Sequence, residues 1–535
     1  MHTVNQNGFF EKAQNVQQRK ENISITENGA VGYRSTGKSL LDMNFSIPKF
    51  RDMPENEICE MWEKAYFEDP LLALRWLFYV RDVRGGLGER RLFRVIIKSI
   101  ANKCPSLIRE LMRSVDSDTT FGGVFPIYGR WDDLLTLMDT DLKNNICLTI
   151  TRQLVDDINN MRNNQPVSLL AKWLPSISTK SSKREARKLC KKLGMQESYY
   201  RKILSKLRKY IKVTEVYMSS GQWDEIEYDH VPGRASMIYA NAFRRHDGER
   251  YSDFINQVNE GKMKINAATV FPHEIVHRMK DAMNTSRWSN SYNIDTTDQL
   301  EALWKNLPNT VKGDNGGTIV VRDGSGSMSS HYIPKSNITV MDVGDALSIY
   351  FAEHLKGEFH NKVITFSSHP QFIQFDSEST LESKLRTLMK YTEVSNTNIE
   401  AVFDLILETA LTYNMKQEEI PANILIISDM EFDSCAESRS YTGRTIPPAL
   451  FDHIKKKYED NGYKIPRIVF WNVASRSGTI PMVENDLGVA LVSGYSVNNA
   501  NMVMSGKIDP YECLVEQLMN PRYDRVVELL KYLKP

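Results

Sequence analysis

The sequence predicts an α + α/β protein: an N-terminal helical array followed by a doubly wound, mostly parallel sheet. Three observations carry this expectation. Between about residues 50 and 310, apolar side chains recur at three- and four-residue spacings. Beyond Gly316-Gly317, short β-branched runs alternate with helical stretches, the pattern of buried strands covered on both faces. The chain of 535 residues is also longer than a single core usually supports. The expected division is an N-terminal extension over 1–50, a helical domain over 51–312 and a sheet domain over 313–535.

Composition narrows the class further. Apolar residues make up 41% and charged residues 25%, which excludes global disorder, collagen-like repeats and a disulfide-stapled miniprotein. Lys plus Arg number 68 and Asp plus Glu 67, so bulk charge selects no partner and only its local distribution is informative. The six cysteines form no CxxC pair, which fits reduced thiols in a cytoplasmic protein. Met1 to Phe10 carries no secretory pattern, and Arg75 interrupts the most apolar run, Leu71 to Val80, so no membrane is expected.

Along the chain, Gly32 to Ser39 satisfies GxxxxGK[ST]. Glu27 to Val31 before it does not read as the buried strand a phosphate loop needs, so a polar turn is expected. Ile58, Met61, Trp62 and Tyr66 make the first helical stripe, and Leu71, Leu72, Trp76 and Tyr79 the next. Arg81 to Arg91, with Gly85, Gly86 and Gly88, reads as a corner between helices. Its Arg84, Arg90 and Arg91 either contact phosphate or pair with Asp82 and Glu89, and pairing is favoured. Trp131-Asp132-Asp133 reads as a helix start with acids in its first turn.

The next segment is the most basic. Lys172, Lys180, Lys183, Arg184, Arg187, Lys188, Lys191, Lys192, Arg201, Lys202, Lys206, Arg208, Lys209 and Lys212 are opposed only by Glu185 and Glu197. The local balance is +12, which leaves −11 for the remainder of the chain. Ser182 with Glu185 resembles a capping box that opens a helix, and Gly194 closes it. A second helix sets Tyr200, Ile203, Leu204, Leu207 and Ile211 on one face and cations on the other. Such a face attracts phosphates, with Tyr199 and Trp173 as rings for an unpaired base. The alternative is a solvated face without a ligand.

His273-Glu274-Ile275-Val276-His277 satisfies HExxH, but Pro272 places it at a helix start and Asp295, Asp298 and Glu301 are only candidates for the third ligand, so an ordinary helix is expected rather than a zinc peptidase. Strands are expected over 318–321, 363–366, 371–375, 423–427, 468–473 and 489–492. The first runs into Asp323-Gly324-Ser325-Gly326-Ser327-Met328 and the fourth into Ser428-Asp429, with a polar loop, Ser395 to Ile399, between them. Alternating acid and hydroxyl side chains separated by glycines suit a small hard cation, and ligand sites in such sheets lie beyond the carboxyl ends of the strands. The alternative is a Ser/Gly turn with helix-capping acids.

These residues resemble the metal-ion-dependent adhesion site (MIDAS) of von Willebrand factor A domains, whose fold is Rossmann-like. The resemblance implies a divalent cation, Mg2+ first and Mn2+ or Ca2+ next, held by Asp323, Ser325, Ser327, Thr397 and Asp429, with one position open to a partner's carboxylate. The helical half resembles the TROVE module of the Ro ribonucleoproteins, and more closely a family that pairs such a module with an A domain. Thr26 to Ala30, Arg81 to Arg90, Tyr128 to Leu134, Lys172 to Ser176, Tyr200 to Lys202, Pro232 to Ala235 and Ser428 to Phe432 carry that likeness. It implies a HEAT-like repeat array that binds structured RNA or single-stranded RNA ends. The resulting expectation is a non-enzymatic RNA-binding protein whose basic segment supplies the RNA contacts. The rival is a metal-dependent protein-interaction or assembly module without nucleic acid.

Overall fold

The computed structural model describes residues 21–113, 121–288, 294–313, 316–366, 369–391, 398–434 and 449–528, with Gln14, Gln17 and Gln18 before them. Thr397, its neighbour Thr392, Asp314, Asn315 and Cys435 lie outside the described residues. A helix-rich part and a six-stranded mixed sheet make the chain α + α/β. Contacts sort it into two interleaved units: a sheet unit from 1–54, 271–293 and 309–517, and a helical unit from 55–270, 294–308 and 518–535. The linear division expected near residues 50 and 312 differs from this, because three short segments pack away from their sequence neighbours.

The expected N-terminal extension is part of the sheet unit. Strands β1 (Ile23–Ile25) and β2 (Val31–Tyr33) form an antiparallel hairpin. Thr26 Oγ1 donates to the Phe432 carbonyl at 2.7 Å, and the Tyr33 amide donates to the Ile480 carbonyl at 2.9 Å. Val31 is buried, so a short strand does precede the GxxxxGK[ST] run, and the helix Ser39–Phe45 follows it. The strand belongs to a two-stranded ribbon, and the loop is already closed. The Asp42 carboxylate accepts from the Thr36 amide at 2.8 Å and from the Thr36 hydroxyl at 2.7 Å, where a phosphate would need those donors.

The large sheet contains β3 (Thr318–Asp323), β4 (Lys362–Phe366), β5 (Gln371–Gln374), β6 (Asn423–Ser428), β7 (Arg467–Asn472) and β8 (Val489–Ser493). Their order is β5-β4-β3-β6-β7-β8, parallel throughout except for β5 at one edge. Every residue of β3, β7 and β8 is buried, which is why these strands read as continuous apolar runs rather than alternating ones. From β3 the chain winds outward through β4 to one edge, returns to β6 on the other side and winds to the opposite edge. The crevice where the winding reverses therefore opens between the carboxyl ends of β3 and β6.

Arg322, inside β3, is fully buried. Its Nε donates to Asp345 Oδ1 at 2.6 Å. Asp345 and Asp342 lie on the helix Val340–His354, where Thr339 and Asp342 close a capping box. Both acids hold Lys280 Nζ at 2.8 Å, and His277 Nδ1 lies 2.9 Å from Asp342 Oδ2. Lys280 and His277 come from the helix Pro272–Trp288, which begins at Pro272 as expected. The cluster also settles the HExxH match. His277 turns to Asp342, while His273 is buried and stacks on Phe271 at 5.4 Å, so the two imidazoles serve different neighbours. Burial pushes the Asp345 carboxyl up, but the Arg322 and Lys280 cations overcome this and hold it below the usual range.

In the helical unit, Asp69 caps the helix Pro70–Arg81 by accepting from the Leu72 amide at 2.9 Å. The rings of Phe78, Phe93 and Phe125 meet edge to face, with Phe78–Phe93 centroids at 5.4 Å and Phe78–Phe125 at 5.9 Å. The corner that follows needs Gly86, because a Cβ there would sit 1.9 Å from the Tyr79 carbonyl oxygen. Residues after 517 return to this unit. The Arg522 guanidinium pairs with buried Asp82, and Arg75 Nη2 lies 2.7 Å from Asp524 Oδ1.

Replacing Lys280 by Met leaves two buried aspartates short of one cation. Removal of one member of a buried ion cluster costs about 3–5 kcal/mol, so the urea midpoint of the Lys280→Met variant should fall steeply at pH 7. The depressed Asp345 carboxyl contributes stability above its unfolded value of 3.8, and that contribution is lost as pH falls through the carboxylate range. A midpoint within error of the wild type would refute the role given to Lys280.

Candidate metal centre and candidate nucleic-acid interface

The pairing of Arg322 with Ile427 brings the ends of β3 and β6 side by side, and Asp323 and Asp429 with them. Both carboxylates are fully buried. Asp323 Oδ1 accepts from the Ser325 amide at 2.9 Å, and Oδ2 accepts from the Ser428 hydroxyl at 2.6 Å. The Ser325 and Ser327 hydroxyl oxygens are 3.0 Å apart. Burial, and then the Asp429 carboxylate, push the Asp323 carboxyl up to about 7. Met430, directly after Asp429, has φ +63°, a left-handed conformation that costs a non-glycine residue roughly 1–2 kcal/mol. Its amide donates to the Ser428 hydroxyl at 3.0 Å, which helps hold the turn.

The structure thus brings together Asp323, Ser325, Ser327 and Asp429 from the expected metal set, and Thr397 lies outside the described residues. Among the described residues no group of three or more His, Cys, Asp and Glu side chains is assembled to hold an ion. Two carboxylates and two hydroxyls do fit the donor chemistry of a small hard cation. A counter-ion comes from a residue the sequence did not nominate. Arg476 Nη1 lies 3.0 Å from Asp429 Oδ2, and its Nε lies 2.8 Å from Glu27 Oε2. Buried Glu431 accepts from the Arg476 and Ser477 amides at 2.8 Å and from the Glu27 amide at 2.9 Å. No motif links Arg476 to Asp429, so nothing in the sequence marks it, and Glu431 lies in the Ser428 to Phe432 run with no local signal for its role.

In the helical unit the basic segment folds into two helices, Lys183–Leu193 and Glu197–Tyr210, separated by Gly194 at φ +66°. The expected capping box is not formed, because the Ser182 hydroxyl donates to the Ser176 carbonyl at 2.9 Å. Ala186, Leu189 and Cys190 bury one helix face, and Tyr200, Ile203, Leu204 and Leu207 bury the other's. On the solvent side, Lys180, Lys183, Arg184, Lys191, Arg201, Lys202, Lys206 and Lys209 are exposed, with no carboxylate within ion-pair distance among the described residues.

The other nominated cations are engaged. Arg208 donates to the Ala171 and Leu174 carbonyls at 2.8 and 2.7 Å, so it braces the fold and is removed from the contact surface. Arg187 pairs with Glu197 at 3.2 Å, Lys188 with Glu185 at 3.5 Å, Lys192 with Asp139 at 2.8 Å and Lys212 with Glu227. Lys172 Nζ sits 5.6 Å from the Trp173 ring centroid. Tyr199 is 55% exposed, whereas Trp173 has the Arg130 guanidinium 4.0 Å from its ring centroid, so Tyr199 is the freer ring. In the corner after Arg81, the favoured pairing does not form for Arg84 and Arg90. Asp82 is taken by Arg522 and by the Arg84 amide.

A family model described as a domain of unknown function, DUF2828, matches residues 26–155 and 177–316. A second, DUF7788, also described as of unknown function, matches residues 317–522. The chain is 27% identical to the uncharacterized protein L728 of Acanthamoeba polyphaga mimivirus, over 93% of this chain and 87% of that one. Among solved structures it is similar to the Ro (RSR) protein of Deinococcus radiodurans, at 12% identity and a TM-score of 0.38, covering 83% of this chain and 92% of that one. So low a score leaves the fold to be argued from the chain itself. No described helix is long and apolar enough to cross a membrane.

The raised Asp323 carboxyl has a defined sign. Between its unfolded value of 3.8 and its folded value of about 7 the native state holds the extra proton, so stability falls as pH rises through that window. In chelator at pH 8, Asp323→Asn should therefore be more stable than the wild type by on the order of 1 kcal/mol or more, and melt at a higher temperature. A lower melting temperature for the variant under those conditions would show that the carboxylate is a net stabiliser.

Proposed function

The chain belongs to the DUF2828 family of unknown function, and on that footing we propose that it is a non-enzymatic RNA-binding protein, with the exposed cations of Lys183–Leu193 and Glu197–Tyr210 as its principal contact surface. The observation that carries this reading is the row of unpaired lysines and arginines on apolar-anchored helices, in a chain that is otherwise net acidic. An apolar face fixes the helices, and the cations are left to meet a polyanion, releasing its counterions. The motif resemblance to the Ro ribonucleoproteins supports RNA over other polyanions and the reading of the helical unit as a HEAT-like array. The described cysteines are free thiols, which supports the cytoplasm as its location.

The sheet unit is read as a von Willebrand factor A domain. Its strand order and the Asp-x-Ser-x-Ser loop at the β3 end support this. A divalent cation, most simply Mg2+, would be held by Asp323, Ser325, Ser327 and Asp429, with Thr397 as the expected fifth ligand. When bound, such an ion supplies an electrophilic position for an acidic group of a protein partner. Ser428 and Ser325 orient the Asp323 carboxylate, and Arg476 restrains Asp429.

A salt titration of RNA binding tests the main reading. Log affinity should fall linearly with log salt, with a slope near −0.7 for each phosphate neutralised on a single strand. Reversing charge at Arg201, Lys202, Lys206 and Lys209 should weaken binding by about tenfold or more and flatten the slope. Reversing Arg208 should instead lower the melting temperature, since it removes donors from two carbonyls. Absence of RNA binding at low salt would end this reading.

A further inference from the structure

The loop after β7 brings Arg476 between two carboxylates of different character. Its Nη1 donates to Asp429 Oδ2 at 3.0 Å, and its Nε donates to Glu27 Oε2 at 2.8 Å. Asp429 is fully buried, whereas the Glu27 side chain is 51% exposed. Among the described residues, Arg476 is the one cation within ion-pair distance of Asp429. The second Asp429 oxygen, Oδ1, accepts from the Glu431 amide at 3.2 Å.

The main chain around this guanidinium is fixed. Glu431 Oε1 accepts from the Arg476 and Ser477 amides, each at 2.8 Å, and Glu431 Oε2 accepts from the Glu27 amide at 2.9 Å. The Asn28 side-chain amide donates to the Glu431 carbonyl at 2.6 Å, and the Ser475 amide donates to Asn472 Oδ1 at 2.8 Å. One buried carboxylate therefore holds the backbone of both Arg476 and Glu27. What remains free to turn is the Arg476 side chain, and its Nε already rests on Glu27.

Charge decides where that side chain sits. A buried carboxylate without a divalent ion needs its counter-ion, so Asp429 retains Arg476. A divalent cation ligated by Asp429 meets the same guanidinium across one shared carboxylate, and like charges at that range repel. Arginine cannot relieve the repulsion by giving up its proton. Asp323, Asp429 and Arg476 together carry −1, whereas Asp323 and Asp429 alone carry −2, which matches a divalent ion. Glu431 and Glu27 contribute the same charge in either arrangement.

We propose that Arg476 competes with a divalent cation for Asp429, and that Glu27 of the β1–β2 hairpin is the acceptor onto which the guanidinium is displaced. This rests on the metal-site reading and adds its regulation. The ion is held only where its concentration overcomes a resident arginine, and the N-terminal hairpin helps set that threshold.

The test titrates Mn2+ alone into the full chain and follows binding by calorimetry. Arg476→Gln, which keeps a hydrogen-bonding side chain without the charge, should bind Mn2+ about tenfold or more tightly than the wild type. Arg476→Met should do the same, and Arg476→Lys should stay near the wild type. Glu27→Gln should weaken binding several-fold while Arg476 is present, and change it little in the Arg476→Gln background. In chelator the two neutral variants should melt below the wild type, and saturating Mn2+ should raise their melting temperatures by more than it raises the wild type's. Asp323→Ala should abolish binding in every background. Equal or weaker Mn2+ binding by Arg476→Gln, with binding still lost in Asp323→Ala, overturns the competition and leaves the metal site standing. No Mn2+ binding by the wild type or by either neutral variant overturns both readings.

Discussion

A guanidinium buried within a β-strand organises the sheet unit. Arg322 needs a carboxylate and finds Asp345; Asp345 and its neighbour Asp342 then need cations, which Lys280 and His277 supply. In a low-dielectric interior, each of these charges is tolerable only while its partner stays in place. The network therefore fixes three elements at once: β3, the helix Val340–His354 and the helix Pro272–Trp288. It also explains why residues 271–293 pack with the sheet although they follow the helical segment in sequence. Asp323, the first of the candidate ligands, is the next residue after Arg322.

Much of this was legible from residue patterns. All six strands of the large sheet lie where β-branched runs placed them, since continuous burial on both faces leaves a run of apolar residues. The loops at the ends of β3 and β6 were found because the carboxyl edge of a parallel sheet is where its winding opens. Short-range polar choices were less legible. Ser182 could cap its own helix or bond Ser176, and nothing local to the sequence decides between the two. Long-range ion pairs left no trace at all. Arg476 meets Asp429 across 47 positions, and Arg522 meets Asp82 across 440. A periodicity argument sees which face of a helix is apolar, but not which charge a distant loop will bring to it.

The cations of the helical unit illustrate the same limit. Composition counts Arg208 and Lys202 equally. The structure separates them: one guanidinium holds two backbone carbonyls in place, and the other side chain is exposed on the solvent face. The segment from Lys172 to Lys212 thus contains both the struts that build a surface and the charges the surface presents. Its net charge of +12 overstates the part available to a ligand. Conversely, Asp82, an expected partner for the arginines of the corner, is held by Arg522 instead.

Arg522 and Asp524 return from beyond the sheet unit to Asp82 and Arg75 in the helical unit. A ribosome makes the chain in one direction, so the partners of Asp82 and Arg75 emerge only after some four hundred intervening residues. The helical unit accordingly cannot reach its final packing while it is being translated. It must wait, with a buried carboxylate and a buried guanidinium still lacking their counter-ions, until the whole sheet unit has left the exit tunnel, and that interval is when the nascent chain depends most on chaperones.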